Sequence, residues 1–456
     1  MLDQNLQVRA VVTGLTQPTT MAFLGADDFL VLEKSTGQVQ RVAGGVVRGP
    51  VLDLAVNFAS ERGLLGIALH PDFPVNPGVY LYWTESSTQA DTNALDEVPL
   101  LGNRVDRFVW DGMSLTFEQE IIRLRSYQAD EDQPLRGNHD GGVIAFGPDG
   151  KLYIFFGDQG RRGQLQNLPR GPYDNGAPDD QFGGPAPDDA HLSGVILRLN
   201  DDGSTPDDNP FFAAGAQMGG EVGRNVQKIF SYGHRNSFGM AFDPYSGLLW
   251  MQENGDDSFS ELNVVTPGFN GGWVQVAGPL SRIDDFKMIE TADGSDPALS
   301  AAFFGLQQIR WPPTQVADTP EEAVSRLFVL PGAHYQDPAL SWLFEIAPAG
   351  MGFVNGSALG PEYDGDLFMG GANANMAGGY LFRIQLADHR QSLAASDPRL
   401  LDGVADNTTK YDTTESESLL IGAGFGAGTD VRMGPNGNLY VVSLTHGAIY
   451  EILRAR

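Results

Sequence analysis

The chain has no cysteine, no apolar run approaching the ~20 residues of a membrane-spanning helix, and half as many basic as acidic residues. The first absence excludes disulfides and thiolate metal sites and leaves the compartment open. The second excludes a helical membrane span. The third, 29 Lys and Arg against 58 Asp and Glu, gives a formal charge of −29. Such a surface repels polyanions, so nucleic acid and anionic membranes are not expected partners. Charged residues of both signs make up only 19% of the chain, and the acidic excess suits solubility or cation binding. The first residues, Met1-Leu2-Asp3-Gln4-Asn5, lack a basic region followed by an apolar core, so no signal peptide is expected there. A mature exported protein and a cytosolic one both fit that start.

What is abundant is glycine and proline, at 57 and 28 residues, which suits many short strands joined by tight turns. The 456 residues fit one large all-β domain as well as several smaller ones. A repeat decides between them. Its unit is a small strand, a turn of Pro, Asp, Asn or Gly, and a more apolar strand. Copies run over residues 21–32, 66–82, 143–154, 239–250, 350–368 and 430–441. Each is followed by a third strand alternating polar and apolar residues, at 38–42, 104–109, 195–199, 261–265, 380–384 and 448–452. That period-two pattern marks a strand with one face buried. Six three-stranded meanders, each able to take a fourth outer strand, predict an all-β, six-bladed β-propeller occupying residues 1–456 as a single domain. Residues 8–12 can supply the outer strand of the last blade and close the ring, removing two sheet edges. A sandwich pair or an open solenoid is the competing fold, and the irregular inserts at 86–99, 127–138, 159–190 and 278–338 argue against a solenoid. In a propeller these are long loops on one face. The acidic run at 201–209 lacks the twelfth-position carboxylate of an EF-hand, where Phe212 stands, and reads as a turn.

In a propeller, residues just before each inner strand, or just after the second strand of its hairpin, converge on one mouth of the central channel. The entrances offer Glu61-Arg62, Asn138-His139-Asp140, His234-Arg235-Asn236, Ala347-Pro348-Ala349 with Trp342 and Glu345 upstream, and Gly428-Thr429-Asp430. A carboxylate, two histidines, an arginine and an asparagine at one mouth make an acid–base site. His139 is the candidate general base, and Arg235 can hold an oxyanion or a carboxylate. Gly141-Gly142 permit a planar ligand close to the backbone. Taken singly, each of these residues also reads as one that satisfies loop carbonyls. Residues 252–258, with Glu253, Asn254, Gly255, Asp256 and Asp257, bunch hard oxygen ligands suited to Ca²⁺; a polar turn with Asx caps is the alternative.

With these residues in place, the chain resembles the soluble quinoprotein glucose/sorbosone dehydrogenase family, sugar dehydrogenases that use pyrroloquinoline quinone (PQQ) with Ca²⁺. The similar segments are 61–73, 139–142 with 147–150, 157–160, 232–236, 253–256, 271–273, 341–342 with 347–351, and 434–440, running in order. The resemblance implies that His139 is the catalytic base, that Arg235 and Asn236 touch the quinone, and that Glu61 is a further contact. It places Thr429 beside the cofactor on the last blade and the carbonyls that bind Ca²⁺ on Gly255 and Asp256. The implied reaction takes a proton from the anomeric hydroxyl of an aldose and a hydride to the quinone, yielding a lactone. The implied partners are a small-molecule sugar and a soluble electron acceptor, in the periplasm or outside the cell. The chain departs from the family where PQQ's three carboxylates are met. Residues 370–379 and 424–429 hold no basic residue, and none of the lysines Lys34, Lys151, Lys228, Lys287 and Lys410 is well placed to meet them. Arg62, Arg161, Arg162 and Arg432 are the substitutes to consider. Two further functions therefore stand beside the dehydrogenase. One is a propeller that has lost PQQ and binds carbohydrate or a protein partner with Ca²⁺. The other is hydrolase or lyase chemistry by His139 and Glu61.

Overall fold

A computed structural model describes residues 1–127, 137–160, 192–292, 313–374 and 376–455. Among them the strands form six antiparallel-built sheets, each starting from a short strand at a central channel. Blade one is Pro18–Gly25, Asp28–Glu33, Gln38–Ala43 and Val46–Asp53, and blade two is Leu64–Leu69, Gly78–Thr84, Asn103–Trp110 and Leu115–Leu124. Blade three runs Ile144–Phe146, Leu152–Phe156, Val195–Leu199, Ile229–Tyr232, and blade four Met240–Phe242, Leu249–Glu253, Ser258–Val265, Leu340–Phe344. Blade five is Pro348–Phe353, Leu367–Gly371, Tyr380–Ile384, Leu420–Ala423. Blade six joins Gly428–Met433, Leu439–Ser443 and Ala448–Arg454 to the N-terminal strand Leu6–Thr13. The expected closure is therefore present, with Leu6 opposite Arg454 and Thr13 opposite Ala448.

Blades adhere through apolar clusters between neighbouring sheets. Tyr80, Tyr82 and Val105 of blade two pack against Ile154, Phe156 and Leu197 of blade three. Blades four and five meet at Trp250, Leu262, Met351 and Phe382. Burying such side chains contributes about 1.5–3 kcal/mol each. Nearer the channel, backbones approach closely enough to require glycine. A Cβ on Gly66 would lie 2.0 Å from the Gly142 carbonyl, on Gly239 2.3 Å from that of Ala349, and on Gly352 2.1 Å from that of Val431. The ring closes between blades six and one through Thr20 Oγ1, which donates to Asp430 Oδ2 at 2.6 Å.

Two third strands differ from expectation. Val195–Leu199 and Ser258–Val265 are buried along their whole length rather than on one face. Blade three is extended outward by two short parallel strands, Phe269–Asn270 and His334–Tyr335, and blade four by Val404–Ala405. Both faces of these two third strands are covered by neighbouring blades: Leu197 packs with blade two and Ile196 with blade four, Leu262 with blade five and Val265 with blade three. The expected acidic turn, between the third and outer strands of blade three, holds the Arg198 guanidinium, with Asp208 Oδ1 at 2.7 Å and Asn209 Oδ1 at 2.8 Å.

Candidate active site

The stretch 231–244 is the hinge between two blades. Ser231 and Tyr232 end the outer strand of blade three, so Tyr232 is not part of the entrance loop, and Met240–Phe242 begins blade four. Between them, His234, Arg235 and Asn236 sit buried at the mouth. The channel is a cavity of about 590 Å³ whose lining includes Lys34, Glu61, Asn254, Tyr411 and Thr429.

His139 is buried behind the cavity wall, reaching it through Glu61, and has a left-handed conformation, φ 59°, the kind of backbone strain that gathers at functional positions. Its Nδ1 is 2.5 Å from Asp158 Oδ1. Asp158 follows the second strand of blade three and is held from three sides. The Gly160 N–H donates to Oδ1 at 2.7 Å and Trp273 Nε1 to Oδ2 at 2.8 Å. Burial pushes the Asp158 carboxyl upward, but the charge and hydrogen bond of His139, with Arg235 and Gly160, outweigh it and hold it below the ordinary range. With Nδ1 on the carboxylate, Nε2 is the ring nitrogen left to take a proton.

Glu61, Asn236 and His139 are brought together across blades two, three and four. Glu61 Oε2 accepts from the His139 N–H at 2.7 Å and from Asn236 Nδ2 at 3.1 Å. Asn236 Oδ1 is buried with no hydrogen-bond partner among the described residues, an acceptor suited to a bound group carrying N–H or O–H. Arg235 lies over the Trp273 ring, 5.7 Å from its centroid. Its Nη1 donates to the Asn254 carbonyl at 3.0 Å and its Nη2 to Asp256 Oδ1 at 3.2 Å. Thr429 is at the channel wall, its hydroxyl turned to the carbonyls of Pro18 and Val442 at 3.3 and 3.4 Å. Gly255 sits in a turn where a Cβ would be 1.9 Å from the Ser258 carbonyl, and Asp256 follows it, buried.

Other candidates turn out to be scaffold. His234 is clamped between Ser231 Oγ at 2.9 Å and Glu253 Oε2 at 3.1 Å and stacks on Phe269. Asp140 is buried and accepts from Asn103 at 2.8 Å. Trp342 is buried in the outer strand of blade four, away from the mouth. Arg62 is fully buried, donating to the Ser126 carbonyl at 2.7 Å and not lining the cavity, whereas Arg432 lines the cavity and is paired with Asp430 at 2.7 Å. Arg161 and Arg162 lie outside the described residues, as does the 159–190 insert beyond its first two positions.

Two lysines overturn the expectation that none stands near the site. Lys34 lines the channel, its ammonium donating to the carbonyls of Ser60 at 2.8 Å and Phe58 at 3.2 Å. Burial lowers its pKa, against the pull of Asp140 and Glu61. Lys410 is buried behind Asp256, its Nζ 3.1 Å from the Asp256 carbonyl oxygen and 2.5 Å from Asp257 Oδ1. Asp158 and Lys34 both follow the second strand of their blade's hairpin, the position already used to place residues 252–258. Applied to blades one and three, the same rule finds both. Lys410 comes from a loop with no such register, and nothing local marks it.

The fold and this mouth define a class: propellers whose channel end carries a carboxylate-paired imidazole, a buried arginine and a cavity of small-ligand size. The profile of the family described as Glucose / Sorbosone dehydrogenase matches residues 15–294, and the chain belongs to that family. It is 31% identical over 289 residues to quinoprotein glucose dehydrogenase B of Acinetobacter calcoaceticus, covering 60% of this chain but 54% of that protein. It is 26% identical to the aldose sugar dehydrogenase YliI of Escherichia coli, over 59% of this chain and 62% of that one. The chain thus spans little more than half the length of both. Among solved structures, an oxidoreductase from a Thermus species, described as a glucose dehydrogenase, superposes with TM-score 0.61 at 25% identity, covering 98% of this chain and all of that one. The PQQ-bound aldose sugar dehydrogenase of Streptomyces coelicolor, 24% identical with TM-score 0.57 over 99% of both chains, shares the fold.

Proposed function

We propose that this chain is a quinone-dependent dehydrogenase that oxidises an aldose at its anomeric carbon to a lactone, passing electrons to a soluble acceptor. The observation that carries the reading is the His139–Asp158 pair, anchored by Trp273 beside the channel. When bound, PQQ supplies the acceptor for a hydride. His139 Nε2 takes the proton of the anomeric hydroxyl, and Asp158 stabilises the imidazolium that results. Arg235 presents positive charge at the same edge, where negative charge develops as hydride leaves the sugar.

The residues present fit a planar, polyanionic quinone. The cavity is of the size that small-ligand sites occupy, and Asn236 Oδ1 offers an orphaned acceptor. Two of the three N–H donors of Lys34 are spent on backbone carbonyls, which leaves one for a carboxylate at the channel. That answers part of the charge which blades five and six lack. A periplasmic or extracellular setting follows from the same reading.

The test is a PQQ titration followed by absorbance, then dye reduction with aldoses. We expect saturable uptake and turnover, and His139→Gln lowering kcat by about 10²–10⁴-fold with uptake retained. No quinone uptake under any condition would sink the reading and leave a propeller that binds carbohydrate or a protein partner without redox turnover.

A further inference from the structure

The resemblance expects a divalent cation at the Gly255 and Asp256 carbonyls, and a side chain already stands there. Lys410 comes from the connection between Val404–Ala405 and Leu420–Ala423. It runs its ammonium in behind the hairpin end of blade four, where its side chain is 4% exposed and that of Asp257 not at all. Nζ meets the Asp256 carbonyl oxygen at 3.1 Å and Asp257 Oδ1 at 2.5 Å. A second carboxylate, Glu345, is pushed up by burial, and Lys410 with Arg235 opposes that push. The neighbouring Tyr411 donates its N–H to the Glu345 carbonyl at 2.8 Å and lines the channel, so the ammonium is tied to the cavity wall.

Calcium needs six to eight oxygen ligands at about 2.3–2.6 Å. Here the Asp256 carbonyl and the Asp257 carboxylate serve Lys410, and Asp256 Oδ1 serves Arg235. A dication on the Asp256 carbonyl would stand beside two fixed cations. The donor set does not fit Ca²⁺.

We infer that the Lys410 ammonium replaces the metal, supplying permanently the positive charge at the Asp256 carbonyl, so that this site neither binds nor needs Ca²⁺. Only the consequence for quinone uptake rests on the function proposed above. The exclusion of the cation is a property of the protein without cofactor. Lys410 acts through the Asp256 turn and is a positioning residue.

The experiment compares the wild type, Lys410→Met and Lys410→Arg by thermal melting of cofactor-free protein in EDTA and in CaCl₂. Removing the ammonium takes a buried cation away from Asp257 and Glu345, so Lys410→Met should melt lower in EDTA and regain stability with Ca²⁺, a ligand that binds only the folded state. The wild type and Lys410→Arg should not respond. An equal Ca²⁺ response, or none, in all three overturns the inference. A PQQ titration of the wild type decides independently if Lys410→Met does not fold. Dissociation constants that agree within about twofold in EDTA and CaCl₂ support the inference, and uptake only with Ca²⁺ overturns it while leaving the proposed function standing. Absence of uptake in both would remove the quinone and not the melting result.

Discussion

Asp158 does three jobs with two oxygens: it fixes the tautomer of His139, braces Trp273 and closes the Gly160 turn. An amide at this position keeps the shape and loses the charge. Asp158→Asn should therefore lower kcat by about 10²–10⁴-fold, with KM changing far less, checked by steady-state dye reduction. The carboxyl is held below its ordinary value, so its contribution to stability is present above pH ~4. That contribution is lost as pH falls through the lower folded value, which a melting series from about pH 6 to about pH 2 can follow in wild type against Asp158→Asn. His139, Arg235, Asn236 and Glu61 were legible in the sequence because each stands immediately before an inner strand. Lys34 and Asp158 obey an equally simple rule for the other end of the hairpin. Lys410 could not be read, since its meeting with Asp256 is 154 residues away in sequence and depends on how one connection folds back over blade four.

At the level of strands, the inner hairpins show why the repeat carries glycine before its small residues. Gly239 faces the Ala349 carbonyl of the next blade, and backbone cannot step aside as a flexible side chain would. Gly239→Ala should cost about 1–3 kcal/mol, read as a lower urea midpoint with an unchanged slope. Blade four also sets two acidic side chains opposite each other, Glu253 paired with Glu261. Burial, with Glu253 adding to it, raises the Glu261 pKa to about 8. An acid raised in the folded state binds its proton more tightly there than in the unfolded chain. Stability therefore falls as pH rises from the unfolded value near 4.5 to about 8 and levels off above that. Glu261→Gln should be stabilised relative to wild type at about pH 8 and much less so at about pH 5, measured by melting temperature. Alternation started the third strand of blade four at residue 261, three residues late, and could not foresee the full burial of Ser258–Val265. The cover comes from the blades on either side, Leu262 packing among blade-five side chains and Val265 among those of blade three, contacts that no local period encodes.

Across the whole molecule, the ring is only as strong as its joint. Leu6–Thr13 is the outer strand of blade six, and Arg9 pairs with Glu451 at 2.5 Å across 442 positions of chain. A variant lacking residues 1–13 should melt at lower temperature. It should also self-associate at low salt by size-exclusion chromatography, because Ala448–Arg454 becomes an open sheet edge. The number of blades and the closing strand were legible because each unit repeats the same hairpin pattern. The joint also orders events during synthesis. Leu6–Thr13 leaves the ribosome ahead of every blade and pairs with the strand that emerges after them, so it must wait, unpaired, through translation of the other five blades. Its sequence is suited to waiting: Gln7, Arg9 and Thr13 are exposed and polar, while Leu6 and Val12 are the buried anchors. Completion of the ring is thus timed by the arrival of the C-terminal strand, and a chain that stalls short of residue 448 cannot cover its own first strand.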